Sequence, residues 1–318
     1  MTKGIPSSKS IGFSAVCLAV LLVLPLVVPQ FYTYTLALIF VISLLAMSLN
    51  MLVGHGGLYQ FHHGVFYGVG AYTFALFITK TSLPVWTAFV AAPLTAAAIG
   101  LLIGWFCVRL TRLYFGMLQI SLGSLIWAIG FRWYSLTGGD DGISGIPVPS
   151  FLASVTGSYY FILILLVLCL IAMYFILHSP FGVSLRATRD NPERSEALGI
   201  NVRHHQLMAI VIATFFAGIA GVLYVVLERS VFPDLLFWYL SLEIFIMCLL
   251  GGWFTFAGPI LGAAITESLK IFVGTYTEYW TLVLGIILIL LIFFLPEGIM
   301  GYFLEKFRPR DGARVPEA

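Results

Sequence analysis

Long apolar runs alternate with short polar segments along almost the whole chain. A helix needs about 20 mostly apolar residues to cross a bilayer, and residues 158–177 form one continuous run of this kind. We therefore expect ten membrane spans, or eight if the third segment and one later segment only re-enter the membrane. The expected spans are residues 11–28, 33–53, 62–79, 85–108, 113–135, 159–178, 206–227, 238–254, 258–274 and 280–296.

The amino-acid composition supports a membrane protein. Hydrophobic residues make up 60% of the 318 residues and charged residues make up 9%, whereas soluble proteins contain about 25% charged residues. So few charges cannot cover the surface of a soluble domain, which argues against a soluble enzyme, a nucleic-acid-binding protein and a disordered chain. The predicted fold class is all-α, a polytopic transmembrane helical bundle.

The positions of Lys and Arg predict the orientation, because cytoplasmic loops carry an excess of these residues. Ten spans with both termini in the cytoplasm place four basic clusters on the inner side. Their members are Lys3, Lys9, Arg109, Arg112, Arg186, Arg189, Arg194, Arg203, Lys306, Arg308, Arg310 and Arg314. The loop 136–157 contains no Lys or Arg, and its Asp140 and Asp141 are expected in an exposed turn.

The same orientation predicts a simple division of the chain. Residues 1–10 and 304–318 are expected to be cytoplasmic tails, and residues 11–303 to form one transmembrane domain. The first apolar run lacks the small-residue cleavage site of a secretory signal peptide, so we expect it to remain as a span.

A polar loop at residues 179–205 contains the features of a short capped helix. Asn191 is a suitable N-cap, Pro192 fits the first helical position, and Gly199 follows the expected end of the helix. The helix combines Glu193 and Glu196 with the apolar residues Ala197, Leu198 and Ile200. A capped helix of this kind on the inner side suits docking to a partner protein. The alternative is a solvated loop held at lipid headgroups by its arginines.

The segment 54–72 concentrates polar side chains among glycines. Its polar and aromatic members include His55, Tyr59, Gln60, His62, His63, Tyr67 and Tyr72. Polar groups at membrane depth are tolerated where they face protein or water, so this segment is expected beside a translocation path. A metal site is disfavoured, because adjacent histidines on a helix point about 100° apart and no metal-ligand spacing supports them.

Glycines recur at matching places in the two halves of the chain. Gly57, Gly64 and Gly68 precede Gly252, Gly258 and Gly262 by 194 or 195 residues. Paired glycine-interrupted apolar segments are typical of the substrate pathway in transporters built from repeats. The alternative is that these glycines serve close helix packing.

The remaining chemical groups do not form a catalytic motif. Neither a P-loop nor a nucleophile elbow is present in the sequence. Glu267 and Lys270 lie three residues apart and could pair on one helix, with Glu243 as the other membrane carboxylate. The cysteines Cys17, Cys107, Cys169 and Cys248 lie in apolar runs and are expected to be packing residues. Energy for transport must then come from a partner or from an ion gradient, and an intramembrane enzyme using His62 or His63 is a further alternative.

Three sequence blocks resemble one known family. They are GLYQFHHGVFYGVGAYTFALF (57–77), RLTRLYFGMLQISLGSL followed by TGGDDGISGIP (109–125 and 137–147), and the stretch 179–224 that contains RATRDNPERSEALGINV. The last block leads into LLGGWFTFAGPILGAA (249–264) and FLPEGIMGYF (294–303). The chain resembles the LivM-type permease subunits of bacterial ABC importers for branched-chain amino acids, whose relatives include importers of urea and short-chain amides.

The resemblance implies a coupling helix and a translocation path. The residues expected to couple to an ATPase are Arg186, Ala187, Arg189, Glu193, Glu196, Ala197, Leu198 and Gly199. The residues expected at the path are Tyr59, Gln60, His62, His63, Phe66, Gly68, Gly70, Tyr72, Gly251, Gly252, Gly258 and Gly262. Tyr59, Gln60 and His62 are included because they belong to the polar segment 54–72. Leu58, Gln60, Phe61 and His62 depart from the family's usual pattern, which leaves the substrate open between amino acids and urea or amides.

The resemblance also implies the partners. They are a homologous second permease of the LivH kind, two ABC ATPase subunits and a periplasmic substrate-binding protein, assembled in the bacterial inner membrane. ATP and Mg²⁺ would bind to the partner ATPases, and no cofactor, metal or catalytic residue is expected in this chain.

Overall fold

The computed structural model describes residues 8–110, 112–276, 279–294 and 298–306, and these residues are mostly helical. The helices are α1 (Ser8–Val27), α2 (Gln30–Asn50), α3 (Gly64–Lys80), α4 (Val85–Cys107), α5 (Arg112–Arg132), α6 (Tyr134–Thr137), α7 (Val155–His178), α8 (Pro180–Asp190), α9 (Pro192–Ala197), α10 (Val202–Glu228), α11 (Trp238–Gly251), α12 (Gly258–Gly274), α13 (Trp280–Phe294) and α14 (Gly298–Lys306). The predicted tail residues 1–7 and 307–318 lie outside the described residues.

Each predicted span corresponds to a helix, but the helices differ in length. Five segments of the described chain are long and apolar enough to cross a membrane: Gln30–His55, Val85–Cys107, Leu113–Arg132, Val155–His178 and Val202–Glu228. In contrast, α3 and α12 have 17 residues each and α11 has 14. At about 1.5 Å per residue, a 17-residue helix falls slightly short of a hydrocarbon core of about 30 Å. The chain is therefore a multi-pass all-α membrane protein that contains both long and short apolar helices.

Small residues allow α4 to pack closely on α10. Ala88, Ala92, Ala96, Gly100 and Gly104 recur at every fourth position of α4 and are buried. Residues spaced by four share one face of a helix, so this face presents little more than backbone. A Cβ atom added at Gly100 would lie 2.1 Å from the Thr214 hydroxyl oxygen on α10. Membrane helices pack through such small residues because lipid provides no hydrophobic driving force between them.

Helix α10 also packs against α3 through backbone atoms. A Cβ atom at Gly70 would lie 2.5 Å from the carbonyl oxygen of Gly218, and one at Gly221 would lie 2.1 Å from that of Tyr67. The helices α2, α3, α4 and α10 thus form the centre of the bundle. Gly70, which sequence analysis associated with a translocation path, has a packing role here.

The loop between α5 and α7 is anchored to the segment that follows α10. Strand β1 (Ile143–Ser144) pairs antiparallel with β2 (Ser230–Val231), and Ile146 N donates to the Arg229 carbonyl at 3.0 Å. Asp140 and Asp141 are exposed in a short 3₁₀ turn between Gly138 and Gly142, both of which have positive φ. The prediction of an exposed turn at these aspartates is confirmed.

Two side-chain outcomes extend or correct what the sequence suggested. Lys270 Nζ forms an ion pair with Glu243 Oε1 at 3.2 Å, which links α12 to α11, and it is also attracted by the Glu267 carboxylate that the sequence suggested as its partner. Cys107, Cys169 and Cys248 are buried as expected, but Cys17 is exposed on α1 and is not a packing residue. Both outcomes depend on which helix faces lie against each other, which spacing along one helix does not reveal.

We expect Gly70→Ala to destabilise the protein. The new methyl group would press against the Gly218 backbone, which cannot move like a flexible side chain, and overpacking of this kind costs about 1–3 kcal/mol. The matched control is Gly274→Ala, since a Cβ at Gly274 has no heavy atom within 4 Å. Thermal unfolding in detergent, monitored by size-exclusion chromatography, should show a lower unfolding midpoint for Gly70→Ala and an unchanged midpoint for Gly274→Ala. Equal midpoints for the two variants would contradict the close approach of α3 and α10.

Candidate functional site

The helix that begins with α2 loses its regular geometry at Met51. A π-helical turn spans Met51–His55, and Gly57 follows with φ +66°. The Leu58 amide reaches back to the Leu52 carbonyl at 2.9 Å, so the chain turns before α3 begins at Gly64. π-Helical turns occur frequently at functional sites. We call residues 51–63 the first break.

A second interruption separates α11 from α12. Gly252 has φ +108°, and residues 252–257 form a turn between the two helices. We call residues 252–257 the second break. The two breaks touch: a Cβ at Gly54 would lie 2.0 Å from the Trp253 carbonyl oxygen, and Asn50 Nδ2 donates to the Thr255 carbonyl at 3.3 Å.

The breaks occupy corresponding positions in the two halves. Each is followed by a 17-residue helix, α3 from Gly64 and α12 from Gly258. These starting glycines are two of the residues that recur in the sequence with a separation of 194. Gly251, Gly252, Gly258 and Gly262 are buried, and a Cβ at Gly262 would lie 1.8 Å from the Met247 carbonyl oxygen. The second set of glycines therefore brings α11 and α12 together.

The two adjacent histidines of the first break are buried and hydrogen-bonded. His63 Nε2 lies 2.7 Å from Ser48 Oγ, and His63 Nδ1 lies 3.1 Å from Gln60 Oε1. His62 Nε2 lies 3.0 Å from the carbonyl oxygen of Leu236. These contacts tie the first break to α2 and to the segment before α11. In the part of the chain that the structure describes, no three His, Cys, Asp or Glu residues are grouped as metal ligands.

Most of the expected path residues are inaccessible in this conformation. Gln60, His62, His63, Phe66 and Tyr72 are buried within the chain, as are Gly68 and Gly70. Tyr59, by contrast, is 38% exposed. Gln60, His62 and His63 lie within the first break, with Tyr59 at its surface. The remaining members, Phe66, Gly68, Gly70 and Tyr72, belong to α3.

Aromatic side chains that sequence analysis did not identify lie beside Tyr59. Ring centroids are 6.4 Å apart for Tyr59 and Phe61, 5.7 Å for Phe61 and Phe245, 6.5 Å for Phe245 and Trp253, and 5.4 Å for Trp253 and Phe254. We call these five residues the aromatic row. Tyr59, Phe61 and Phe254 are all exposed, and Phe254 is the most exposed of the three. The row joins the two breaks across the surface of the chain, a relation that no local sequence pattern contains.

The polar loop folds into two helices. Asn191 Oδ1 accepts from the Arg194 amide at 2.9 Å, Pro192 starts α9, and Gly199 adopts φ +85° after it. The predicted helix and both of its ends are therefore confirmed. Sequence analysis missed α8, although Ser179–Pro180 repeats the pattern of a capping residue followed by proline that marks α9.

The expected coupling residues fall into two groups. Glu193, Glu196, Ala197, Leu198 and Gly199 are exposed, and Leu198 has 75% of its surface accessible. Arg186, Ala187 and Arg189 are partly buried on α8. Arg186 Nη1 donates to the Leu177 carbonyl at 2.8 Å, and Arg189 Nη1 donates to the Gly54 carbonyl in the first break. Thus α9 presents a free surface, whereas the arginines of α8 bind to the bundle.

Long apolar helices, two facing breaks and a polar two-helix loop define a polytopic membrane permease. A family model described as "Branched-chain amino acid transport system / permease component" matches residues 31–292. The chain belongs to this family of permease components.

The similar proteins include both kinds of permease named in such systems. The chain is 29% identical over 310 residues to the high-affinity branched-chain amino acid transport system permease protein LivM of Escherichia coli K12, covering 89% of this chain and 72% of that relative. It is 28% identical to LivM of Salmonella typhimurium over 87% of this chain and 71% of that relative. It is 27% identical to LivH of Salmonella typhimurium over 81% of this chain and 91% of that relative. No solved structure matches the chain.

We expect His63→Leu to reduce stability, because Gln60 and Ser48 would lose a buried hydrogen-bond partner. Leaving a buried polar group unsatisfied costs about 1–3 kcal/mol. The matched control is His204→Leu, which makes the same change at an exposed position in the first turn of α10. Thermal unfolding should distinguish the two variants. A midpoint for His63→Leu equal to that of the control would contradict a structural role for this histidine.

Proposed function

We propose that this chain is a permease subunit of an ATP-driven importer that carries branched-chain amino acids. The observation that carries the proposal is the free surface of α9, a capped helix that exposes Glu193, Glu196 and Leu198 together on a polar loop. An exposed apolar residue beside acidic ones suits a docking contact with another protein better than contact with lipid headgroups. The match of residues 31–292 to permease components supports the same assignment.

The energy source in this proposal is a pair of partner ATPase subunits, which bind ATP and Mg²⁺. Closure of the ATPases around ATP would push on α9 and switch the permease between outward- and inward-facing states. A second, LivH-like permease would complete the transmembrane part, and a periplasmic binding protein would deliver the solute. The similarity of this chain to both LivM and LivH supports a pair of homologous permeases.

The substrate proposal rests on the names of the relatives and on the aromatic row. LivM and LivH are named for branched-chain amino acid transport. We propose that the path passes along the face that carries Tyr59, Phe61 and Phe254. The buried histidines and glycines would support this face from inside the chain. Aromatic rings offer large apolar surfaces, which suit the aliphatic side chains of leucine, isoleucine and valine.

We also propose ten spans in the inner membrane with both termini in the cytoplasm. Two predicted inner segments, around Arg109 and around residues 190–203, line one crevice at the same end of the bundle. At the other end, Lys80 Nζ donates to the Ser135 carbonyl, and Arg229 donates to the Ala153 carbonyl. These contacts hold the proposed outer segments together at the end opposite the inner basic clusters, which supports loops that alternate between the two sides of the membrane.

Cysteine labelling tests this orientation. In a variant without its four native cysteines, Asp141→Cys should react with a membrane-impermeant maleimide added to intact spheroplasts, because Asp141 lies in the exposed turn. Glu196→Cys, on the exposed surface of α9, should react only after the membrane is permeabilised. Labelling of Glu196→Cys in intact spheroplasts would overturn the proposed location of α9.

Substitutions on α9 test the docking role. In a complex co-expressed with its ATPase subunits, Glu196→Lys and Leu198→Asp should lower the amount of ATPase that purifies with the permease, because both change the exposed surface of α9. The loss should be about tenfold or more if each removes a contact worth at least 1.4 kcal/mol. Asp141→Asn, in the exposed turn at the other end of the bundle, is the control.

Transport itself provides the second measurement. Proteoliposomes with the wild-type complex and the binding protein should take up labelled leucine only when ATP is available to the ATPases. Uptake by the permease alone without ATP would favour an ion-gradient carrier and overturn the proposal. Retention of ATPase by both α9 variants would show that the coupling contact lies elsewhere.

A further inference from the structure

We propose that Arg189 is a positioning residue that links the movement of α8 and α9 to both breaks. The inference rests on the proposed function, since it assigns the route by which an ATPase-driven movement reaches the translocation path. Arg189 belongs to the set expected to couple to the ATPase. The contacts of its side chain are made within this chain, with the two breaks. We therefore assign Arg189 the role of passing a movement of the loop to the breaks, and not that of contacting the ATPase.

The Arg189 side chain bridges the inner loop and the two breaks. Its Nη1 donates to the Gly54 carbonyl in the π-helical turn, 135 residues away along the chain. Its guanidinium carbon lies 5.5 Å from the ring centroid of Phe254 in the second break. Arg189 therefore contacts both interruptions at once, and we call these contacts the Arg189 junction.

Asp190 holds the guanidinium in this orientation. Its Oδ1 lies 2.9 Å from Arg189 Nε and 2.8 Å from Arg189 Nη2. A planar guanidinium that uses one edge for a carboxylate keeps its other nitrogen aimed in a defined direction. Here that nitrogen meets the Gly54 carbonyl, so the ion pair orients the arginine rather than supplying much stability, since Asp190 is largely exposed.

Gly57 in the first break leaves space for the aliphatic part of the Arg189 side chain. A Cβ atom at Gly57 would lie 2.5 Å from Arg189 Cγ. Gly57 also has φ +66°, a conformation that other residues rarely adopt. A glycine at position 57 therefore meets two requirements: the positive φ of the turn and the close approach of the Arg189 side chain.

The location of Arg189 suits transmission of a movement. It precedes the N-cap of α9 by two residues, so a displacement of α9 moves the start of its side chain directly. Its far end contacts irregular backbone, which can change conformation without breaking a continuous α-helix. By contrast, the side chains of Glu193 and Glu196 are exposed on the surface of α9.

The test compares ATP hydrolysis with uptake in the complete reconstituted complex. In Arg189→Ala, we expect uptake to fall about tenfold, as for a typical coupling free energy between two sites, whereas ATP hydrolysis stays within about twofold of wild type. The ratio of ATP hydrolysed to leucine imported should therefore rise. Arg189→Lys keeps a donor for Gly54 but loses the planar fork, so it should restore uptake only in part. Arg203→Ala, an exposed arginine in the first turn of α10, is the matched control and should keep the wild-type ratio.

The alternative is that Arg189 only stabilises the loop. In that case Arg189→Ala should lower the yield of complex, and hydrolysis and uptake should fall in parallel with an unchanged ratio. An unchanged ratio in Arg189→Ala would overturn the inference while leaving the proposed function intact. If Arg189→Ala does not purify with its partners, Asp190→Asn provides the test, since it keeps the arginine but removes the carboxylate that orients it. A wild-type ratio in that variant would then overturn the inference.

A failure of the proposed function gives a different result. If the wild-type complex shows no ATP-dependent uptake, the proposed function and the coupling role of Arg189 are both overturned. A double variant, Arg189→Ala with Asp190→Asn, adds an internal check. Asp190 orients the junction through its ion pair with Arg189, and the effects of two substitutions that act through one contact do not add, so the double variant should lose no more uptake than Arg189→Ala alone. Additive losses would contradict a shared junction.

Discussion

The contact between the two breaks is the constraint on which the rest of this structure depends. Backbone that leaves helical geometry in a membrane protein must be buried in protein or face water, because lipid cannot satisfy its polar groups. Here the π-helical turn of the first break packs against the turn of the second break, with Gly54 against the Trp253 carbonyl and Asn50 bound to the Thr255 carbonyl. Each break therefore provides the protein surroundings that the irregular backbone of the other break requires.

This arrangement concentrates adaptable backbone in one region and surrounds it with rigid packing. The centre of the bundle, where α10 meets α3 and α4, is joined by backbone contacts that tolerate no added methyl group. Closely packed elements move as units, so a change of state is expected at the irregular segments between them. The buried contacts of His62 and His63 hold one edge of the first break in place.

The two helices of the loop 179–205, α8 and α9, differ in what they contact. The surface of α9 is free, whereas α8 is attached to the bundle through Arg186 and Arg189. A loop built in this way can receive a contact on one side and pass a displacement to the other. The chain belongs to a family of permease components, and in the function proposed above this division would carry an ATPase-driven movement from α9 into the bundle.

Local sequence patterns were sufficient to predict the long helices and α9, although not α8. The apolar runs predicted every long helix, since crossing a membrane requires about 20 apolar residues in succession. Asn191, Pro192 and Gly199 predicted α9 with both ends, because caps satisfy backbone groups within a few residues of themselves. The recurring glycines likewise predicted two corresponding interruptions, as Gly64 and Gly258 show by starting helices of equal length.

The tertiary structure alone decided which side chains face each other. Gln60, His62 and His63 suggested a polar lining, yet they are buried against α2 and the segment before α11. Lys270 pairs with Glu243 on another helix, and the aromatic row joins residues from positions 59 to 254. The sequence by itself determined the helices, their caps and their breaks, because these depend on neighbours within a few residues. The direction of Arg189 depends on a segment 135 residues away in the sequence, and the ion pair of Lys270 with Glu243 joins two different helices. Exposure and contacts of this kind were therefore decided by packing.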